Sequence, residues 1–440
     1  MLELAGIIVL GIVAQWFAWR LKLPAILPLI LIGLFVGPIS TLISHDGTKW
    51  LEPVWNGNEG LFPGELLYNF VSLAIGIILF EGGLTLKKEE ILNVGPSIVK
   101  LITLGALVTF FGAGISAHYI FNLSWEISFL FSALIIVTGP TVITPILRNI
   151  PLKKDISAVL KWESILIDPI GALVAVLVFE FISIESGYSF TKEALIEFFK
   201  VVTVGASIGF IAALTLYYSI KRTYIPHYLL NVITLAIVLG VFVLSDFFAH
   251  ESGLLSVVVM GMVLGNKKIK ELKEILYFKE SISILLISIL FILLAAHINI
   301  SDMMLLFRWE TLLLFLIIVF IIRPIGVFLS TANSGLKFNE KLFISWVGPR
   351  GIVAAGIASL FGLKLVLKGV SGAEYITPLV FMIVLGTVVL NATTARLFAK
   401  IAGVFFKSSD GILIIGASSF SRLIASYLKN NNRRVVPVSY

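Results

Sequence analysis

The sequence predicts an all-α polytopic membrane protein of about 13 transmembrane helices, and three observations predict it. Of its 440 residues, 58% are apolar and only 13% are charged, whereas soluble domains run at about 45–50% and about 25%. Apolar stretches of about 20 residues, the length a helix needs to span a bilayer, recur along nearly the whole chain. Lys and Arg gather in alternate loops. The mean hydropathy of +1.03 excludes an ordinary soluble enzyme and also a disordered chain, which needs low hydropathy and high charge. Barrel strands are excluded too, because they alternate polar and apolar residues over about ten positions. There is no Cys, so there is no disulfide, thiolate metal site or Cys nucleophile. The net charge of +7 is spread too thinly for a nucleic-acid surface and fits cytoplasmic loops facing anionic lipid.

The first apolar stretch is not a typical signal peptide, since Glu3 precedes it and Arg20 and Lys22 follow it. It reads as a retained helix with its N-terminus outside. Spans are expected at 3–20, 24–43, 66–86, 97–121, 127–147, 155–182, 195–219, 229–248, 252–266, 281–298, 309–331, 341–365 and 376–400. The positive-inside rule tests this order. Alternating from an outside N-terminus puts Arg20, Lys22, Lys87, Lys88, Arg148, Lys153, Lys154, Lys221, Arg222, the five Lys of Asn266 to Glu280, Lys337, Lys341, Arg396, Lys400 and Lys407 in the cytoplasm. Only Lys49, Lys192, Arg308, Lys364 and Lys368 fall outside. The expected location is therefore the cell inner membrane, with the C-terminus cytoplasmic. Asn266 to Glu280 is too charged to span, and Ile269, Leu272, Ile275 and Leu276 suggest a short amphipathic helix at the interface. Ser40 to Gly64 reads as an irregular external cap.

The expected domains are a transmembrane domain at 1–403 and, at 404–440, a linker followed by a short α/β fragment. Gly411-Ile-Leu-Ile-Ile-Gly reads as a strand, Arg422 to Asn430 as a helix and Arg434-Val-Val-Pro-Val as a second strand. This is the opening βαβ of a nucleotide-binding fold. Its fingerprint is degenerate: Gly416 matches, but Ser418 and Ser421 stand where Gly is expected, and no acidic residue to hold a ribose appears by Tyr440. A full domain of this kind needs about 100 residues, so the fragment is incomplete. It binds nothing by itself in the plainer reading; a nucleotide is the candidate effector in the other. No cofactor is expected elsewhere.

Ionisable side chains at membrane depth cost about 2.5–3.5 kcal/mol on insertion scales, so each is a functional candidate. Glu81, Glu163, Asp168, Arg323 and Arg350 are expected there. In Lys161-Trp-Glu-Ser-Ile-Leu-Ile-Asp-Pro, Ser164 and Asp168 lie four apart and share a helix face. Glu163 lies about 140° round the helix from Asp168 and meets different neighbours. Pro169 has no N–H and frees the carbonyl of Ile165. A dehydrated cation wants a carboxylate and several neutral oxygens, and Asp168, the Ser164 hydroxyl and that carbonyl supply them. The competing reading is a structural Asp satisfied by its neighbours.

Spans five and twelve both break midway at Gly-Pro: Thr138-Gly139-Pro140-Thr141 and Gly348-Pro349-Arg350-Gly351. Division into spans 1–6 and 8–13 makes them equivalent with opposite orientation, an inverted repeat with crossed broken helices. Paired interrupted helices of this kind point to a transporter's binding site, though kinks of this type also occur by chance. Arg323 and Arg350 would be prohibitive unpaired. A Glu163–Arg323 ion pair is the structural assignment, and Arg350 is expected to neutralise carbonyls exposed by the broken helices.

Arg20-Leu-Lys-Leu-Pro, Gly-Leu-Phe-Val-Gly-Pro38, Leu79-Phe-Glu-Gly-Gly-Leu, Thr138-Gly-Pro-Thr, Glu163-Ser-Ile-Leu-Ile-Asp and Gly348-Pro-Arg-Gly together resemble the monovalent cation:proton antiporters, in the NhaP-like and NHE-like branch. The likeness covers about residues 1–403, and the tail is similar to the start of a TrkA-N or RCK-type regulatory domain. The resemblance implies a thirteen-helix inverted-repeat fold, a homodimer whose core moves against a dimerisation domain, and exchange of Na+ or K+ for H+. It assigns cation and proton binding to Asp168, oxygen ligands to Ser164 and Thr138, and a role at the site's edge to Glu81. Two positions depart from the family pattern: Gly139 where Asp is usual, and Ile167 where Asn or a second Asp is usual. The site loses a carboxylate and a polar support, a weaker field that favours K+ over Na+. With one titrating acid the exchange is expected to be electroneutral.

Competing functions at this stage are symport of an organic anion at Arg350, a non-transporting membrane sensor, and a membrane-embedded enzyme. The last lacks any HExxH or GxSxG motif or His cluster.

Overall fold

The computed structural model describes all residues except 1, 22, 24, 56, 58–59, 64–65, 92–93, 184–189, 268, 270, 301–307, 406–410, 417, 431–433 and 439–440. Lys22, Lys268, Lys270 and Lys407 of the loop charges therefore lie outside the described residues. The chain divides into two compact units, Met1–Val404 and Phe405–Tyr440.

In the first unit, local sequence explains where helices begin and end. Helix α1 (Leu2–Leu21) has Glu3 in its first turn and Arg20 in its last, each opposing the adjacent end of the macrodipole. Helices α2 (Ile26–Ile43), α3 (Leu66–Thr85) and α4 (Gly95–Phe121) follow. Asn122, in the left-handed region at φ 50, ends α4. The Ser124 hydroxyl then caps α5 (Trp125–Ile135) by accepting the N–H of Ile127 at 3.3 Å. Pro140 opens α6 (Pro140–Asn149) at a position where its missing N–H is no loss. Next come α7 (Lys154–Ser183), α8 (Phe190–Lys221), α9 (Leu230–Phe248) and α10 (Ser252–Gly265). The unit closes with α11 (Leu272–His297), α12 (Trp309–Ser330), α13 (Phe338–Trp346), α14 (Ile352–Leu367) and α15 (Ile376–Ile401).

Among the described residues, nine helices are long and apolar enough to cross a membrane. Four shorter apolar helices, Asn69–Thr85, Trp125–Ile135, Ser252–Gly265 and Val353–Val366, lie at the places of spans three, five, nine and twelve. A helix satisfies its own backbone groups, which hydrocarbon demands.

The expected amphipathic interfacial helix over Asn266 to Glu280 is corrected. From Leu272 the chain enters α11 and runs unbroken to His297. No Gly or Pro interrupts this stretch, and Ile275, on the buried face, is fully enclosed. Lys273, Glu274, Lys279 and Glu280 lie in the first turns of this spanning helix and not in a separate element, and Lys267 and Glu271 precede it.

Helix α10 packs by small residues. A Cβ on Gly261 would sit 2.5 Å from the Phe80 carbonyl of α3, and one on Gly205 of α8 would sit 2.9 Å from the Ser252 carbonyl. Such close backbone approach is what Gly and Ser allow between membrane helices. At the Lys-rich end, the Lys161 ammonium donates to the Thr85 carbonyl at 2.6 Å and to Glu90, and the Trp162 indole N–H also donates to Glu90, at 3.2 Å. Lys87 donates to the Gly265 carbonyl. These bonds fix the ends of α3, α7 and α10 around the site.

In the second unit, β1 (Gly411–Ile415), α16 (Ser419–Asn430) and β2 (Arg434–Val438) form a βαβ turn with parallel strands, Gly411 opposite Arg434 and Ile415 opposite Val438. Gly416 follows β1 at φ +113, a conformation that requires Gly. The Ser418 hydroxyl accepts the N–H of Ser421 at 3.2 Å at the start of α16.

Candidate functional site

The two Gly-Pro breaks meet. After α5 the chain is extended from Val137 to Gly139; after α13 it is extended from Val347 to Gly351. The extended pieces form an antiparallel bridge between Thr138 and Arg350. The Gly139 N–H donates to the Pro349 carbonyl at 3.2 Å, and the Gly351 N–H donates to the Val137 carbonyl at 3.4 Å. The contact needs both glycines: a Cβ on Gly351 would stand 2.8 Å from the Gly139 Cα, and a Cβ on Gly139 would collide with the Gly351 Cα.

Four helix ends converge at this crossing, the C-termini of α5 and α13 and the N-termini of α6 and α14, each with partial charge. Arg350, 2% exposed, answers one of them: its guanidinium donates to the Ile136 carbonyl at 3.2 Å. Its backbone N–H donates to the Thr387 hydroxyl of α15 at 3.0 Å. Thr387 carried no signal in the sequence beyond being a polar residue in an apolar helix.

Helix α7 passes beside the crossing. Gly171, one turn beyond Asp168, has no room for a Cβ because the Val137 side chain fills that space. Glu163, Ser164 and Asp168 are 2%, 1% and 1% exposed. The Arg323 guanidinium grips Glu163 with two hydrogen bonds, at 2.5 and 2.9 Å, and also donates to the Ile344 carbonyl at 3.4 Å. Gly348 leaves the room Arg323 needs, since a Cβ there would lie 2.7 Å from its Nε. The pair ties α7 and α12 to the broken α13.

Asp168 is placed differently. Neither of its oxygens has a hydrogen-bond partner among the described residues. The hydroxyls of Thr138 and Thr141 are equally buried and equally without partners. The Ser164 hydroxyl donates to the Lys161 carbonyl at 3.0 Å and keeps its lone pairs. Pro169 sits inside α7, so the N–H that would bind the Ile165 carbonyl is missing. Asp168 and the hydroxyls of Thr138, Thr141 and Ser164 are thus buried oxygens on α7 and at the break between α5 and α6.

Glu81 lies on α3, where Gly82 packs against the Ile165 side chain. It lines a cavity of about 250 Å³ together with Gln15, Pro140, Thr141, Glu280 and Ser283. The cavity reaches Thr141, at the start of α6, and does not include Asp168. Thr141, Glu280 and Ser283 went unnoticed in the sequence, although Thr141 directly follows the Gly-Pro break.

A family model described as sodium/hydrogen exchanger, transmembrane, matches residues 6–400. The chain belongs to the sodium/hydrogen exchanger family. It is a monovalent cation:proton antiporter, which sets aside the anion symporter, the sensor and the enzyme. This exchanger is 26% identical over 412 residues to Na(+)/H(+) antiporter 1 of Methanocaldococcus jannaschii, covering 89% of this chain and 93% of that one. It is 25% identical over 354 residues to the K(+)/H(+) antiporter NhaP of Alkalimonas amylolytica, covering 80% of this chain and 58% of that one. Its fold matches the structure of the sodium proton antiporter MjNhaP1 from M. jannaschii at pH 8, with a TM-score of 0.75 at 25% identity, over 91% of this chain and 98% of that one.

Proposed function

We propose that this antiporter works by competition at one carboxylate, Asp168. The observation that carries the reading is that both Asp168 oxygens are buried beside the crossed helix breaks and have no hydrogen-bond partner among the described residues. A bare carboxylate is too costly to carry through an apolar barrier. The protonated and cation-bound forms are neutral and cross cheaply as the core rocks. Exchange is then obligatory, because an empty charged site stays where it is. Ser164 and Thr138 supply neutral oxygens, Glu81 and Thr141 guide the ion from the cavity, and the Glu163–Arg323 pair holds the core together.

The finer features follow the same reading. One titrating acid gives about one cation per proton, an electroneutral exchange. Na+ and K+ are the candidate cations, since the chain is similar to relatives named for each. The repeat relating the two breaks, a homodimer, and an N-terminus outside with the C-terminus cytoplasmic complete the proposal. The βαβ unit is read as the opening of a nucleotide-binding regulatory domain, with Gly416 at its turn.

The test is dequenching of a pH dye in proteoliposomes, with Na+, K+ and Li+ added in turn. Wild type responds to at least one ion, and Asp168→Asn responds to none. Robust cation-dependent proton flux in the variant would sink the reading. Electrogenic currents in the wild type would point to a second carrier acid, with Glu81 first to test.

A further inference from the structure

Helix α3 lines two cavities with one face. Ile78, Glu81, Gly82 and Thr85 border the cavity of about 250 Å³ described above. Val71, Ser72 and Ile75 border a second one, of about 40 Å³, nearer the start of the helix. Val71, Ile75, Ile78, Gly82 and Thr85 are spaced four, three, four and three apart, so they form a single stripe. Helix α3 packs against both half-helices that leave the crossing. Helix α6, from Pro140 to Pro145, borders the larger cavity, and α14, from Val353 to Phe361, borders the smaller. The smaller cavity is at the end of α3 away from Lys87, which faces outside in the proposed orientation.

This outer cavity is pinched. A Cβ on Gly356 of α14 would lie 3.2 Å from the Val71 side chain of α3, closer than an ordinary van der Waals contact. The volume is room for a few water molecules at most. Glu251 lines it from the turn between α9 and α10. That residue has φ 64, a conformation uncommon outside Gly. Its backbone N–H donates to the Asp246 carboxylate at 2.6 Å, which holds the turn and leaves the Glu251 side chain to the cavity. Burial first, and then Asp246, push this carboxyl up to about 7, against the pull of His250. Of the helices packed on α10, α3 carries Glu81, α9 carries Asp246, and α7 carries Glu180 at this end. The first turns of α8 carry Lys192, Glu193, Glu197 and Lys200, and α14 carries Lys364, while α10 itself has no charged residue. Of all these groups, only Glu251 borders the smaller cavity.

We propose that the smaller cavity is the closed outer half of the cation's path, and that Glu251 is the carboxylate at its mouth that takes up a monovalent cation from outside. A carboxylate in a cleft with apolar walls concentrates cations there, because the walls focus its field. The pinch between Val71 and Gly356 parts to let the cation pass along the α3 stripe to the crossing. The larger cavity, bordered by α6, is the other half of the same path.

The role of Glu251 rests on the cation reaching Asp168 by this path, as proposed above, and the experiment separates the two. Exchange is measured in right-side-out and in inside-out membrane vesicles, with the cation added to the bath at pH 8.5, where Glu251 is ionised. Glu251→Gln is expected to raise the half-maximal cation concentration roughly three- to tenfold in right-side-out vesicles and to leave it unchanged in inside-out ones. Glu251→Asp, which keeps the charge, should return most of the affinity. An equal shift in both kinds of vesicle, no shift in either, or an Asp variant that behaves like the Gln variant overturns the role of Glu251. The chain has no Cys of its own, so the pinch is tested by a disulfide between Val71→Cys and Gly356→Cys. Oxidation should stop exchange and a reductant should restore it. A cross-linked protein that exchanges at the rate of its reduced form overturns the outer path. Cation-dependent flux in Asp168→Asn would instead remove the reading on which the inference stands.

Discussion

Two of the carboxylates of helix α7, Glu163 and Asp168, are equally buried, at 2% and 1% exposed. Glu163 meets a bidentate Arg323, while the Asp168 oxygens have no hydrogen-bond partner among the described residues. Five positions of helix separate them by about 140°, enough for one to face α12 and the other to stand beside the crossed breaks. A carboxylate already matched by a guanidinium has no charge to offer a passing ion. One left without a partner keeps its full affinity for a proton or a cation. On the proposed mechanism, the difference in partners, not in burial, divides structure from transport along this helix.

The largest effect tests the unpartnered member. Asp168→Ala is expected to drop cation-driven proton flux to the level of empty vesicles while the purified protein keeps its wild-type melting temperature. Loss of fold together with flux would move Asp168 into the same class as Glu163. Breaking the partnered member should act through stability instead. Glu163→Gln leaves Arg323 buried and unmatched, a loss of about 3–5 kcal/mol, read as a lower unfolding temperature in detergent. The paired replacement Glu163→Leu with Arg323→Met should recover most of that stability. A double variant as unstable as the single one would show that the pair does more than hold helices together.

At the crossing itself, Gly139→Ala forces a Cβ against the Gly351 backbone. Overpacking of this kind costs about 1–3 kcal/mol, and it should slow exchange more than it lowers the unfolding temperature, because the site's geometry is set there. Equal activity in Gly139→Ala would detach the crossing from the chemistry.

An exposed pair completes the comparison and gives the smallest effect. His250, between α9 and α10, lies 3.5 Å from the Asp246 carboxylate, and its side chain is 73% exposed. Its hydrogen bond with Asp246 is the main cause that pushes its pKa up to about 9. A raised value stabilises the folded protein fully below the unfolded pKa of about 6.5, and the gain is lost as the pH rises through about 9. Solvent screening keeps the gain at about 1 kcal/mol or less. His250→Ala should therefore lower the unfolding temperature slightly at pH 6 and not at all near pH 10. A difference that grows with pH would reverse the assignment.

Much of this is legible in the sequence. Helix positions follow from apolar length, because hydrocarbon demands that each backbone group be satisfied within the segment. Arg323 had few candidate partners, since unpaired buried charge is prohibitive and only Glu163 and Glu81 were at hand at membrane depth. The paired Gly-Pro motifs marked the breaks. Their bridging through Thr138 and Arg350 needed three dimensions, because the sequence places them more than two hundred residues apart. Three things were hidden. The charged start of α11 looked like an interfacial helix because local charge density says nothing of what packs against it. Thr387 and Thr141 are common residues whose role comes only from what they face. Lys279 reads in the sequence as a loop charge, whereas the fold buries it near two rings.

In the proposed mechanism one carboxylate, Asp168, carries either a proton or a cation. The most direct test is the number of protons released when the cation is added to purified, weakly buffered protein. Competition at Asp168 releases up to about one proton per chain in the wild type, saturating with cation and absent in Asp168→Asn. Undiminished proton release from Asp168→Asn would contradict it.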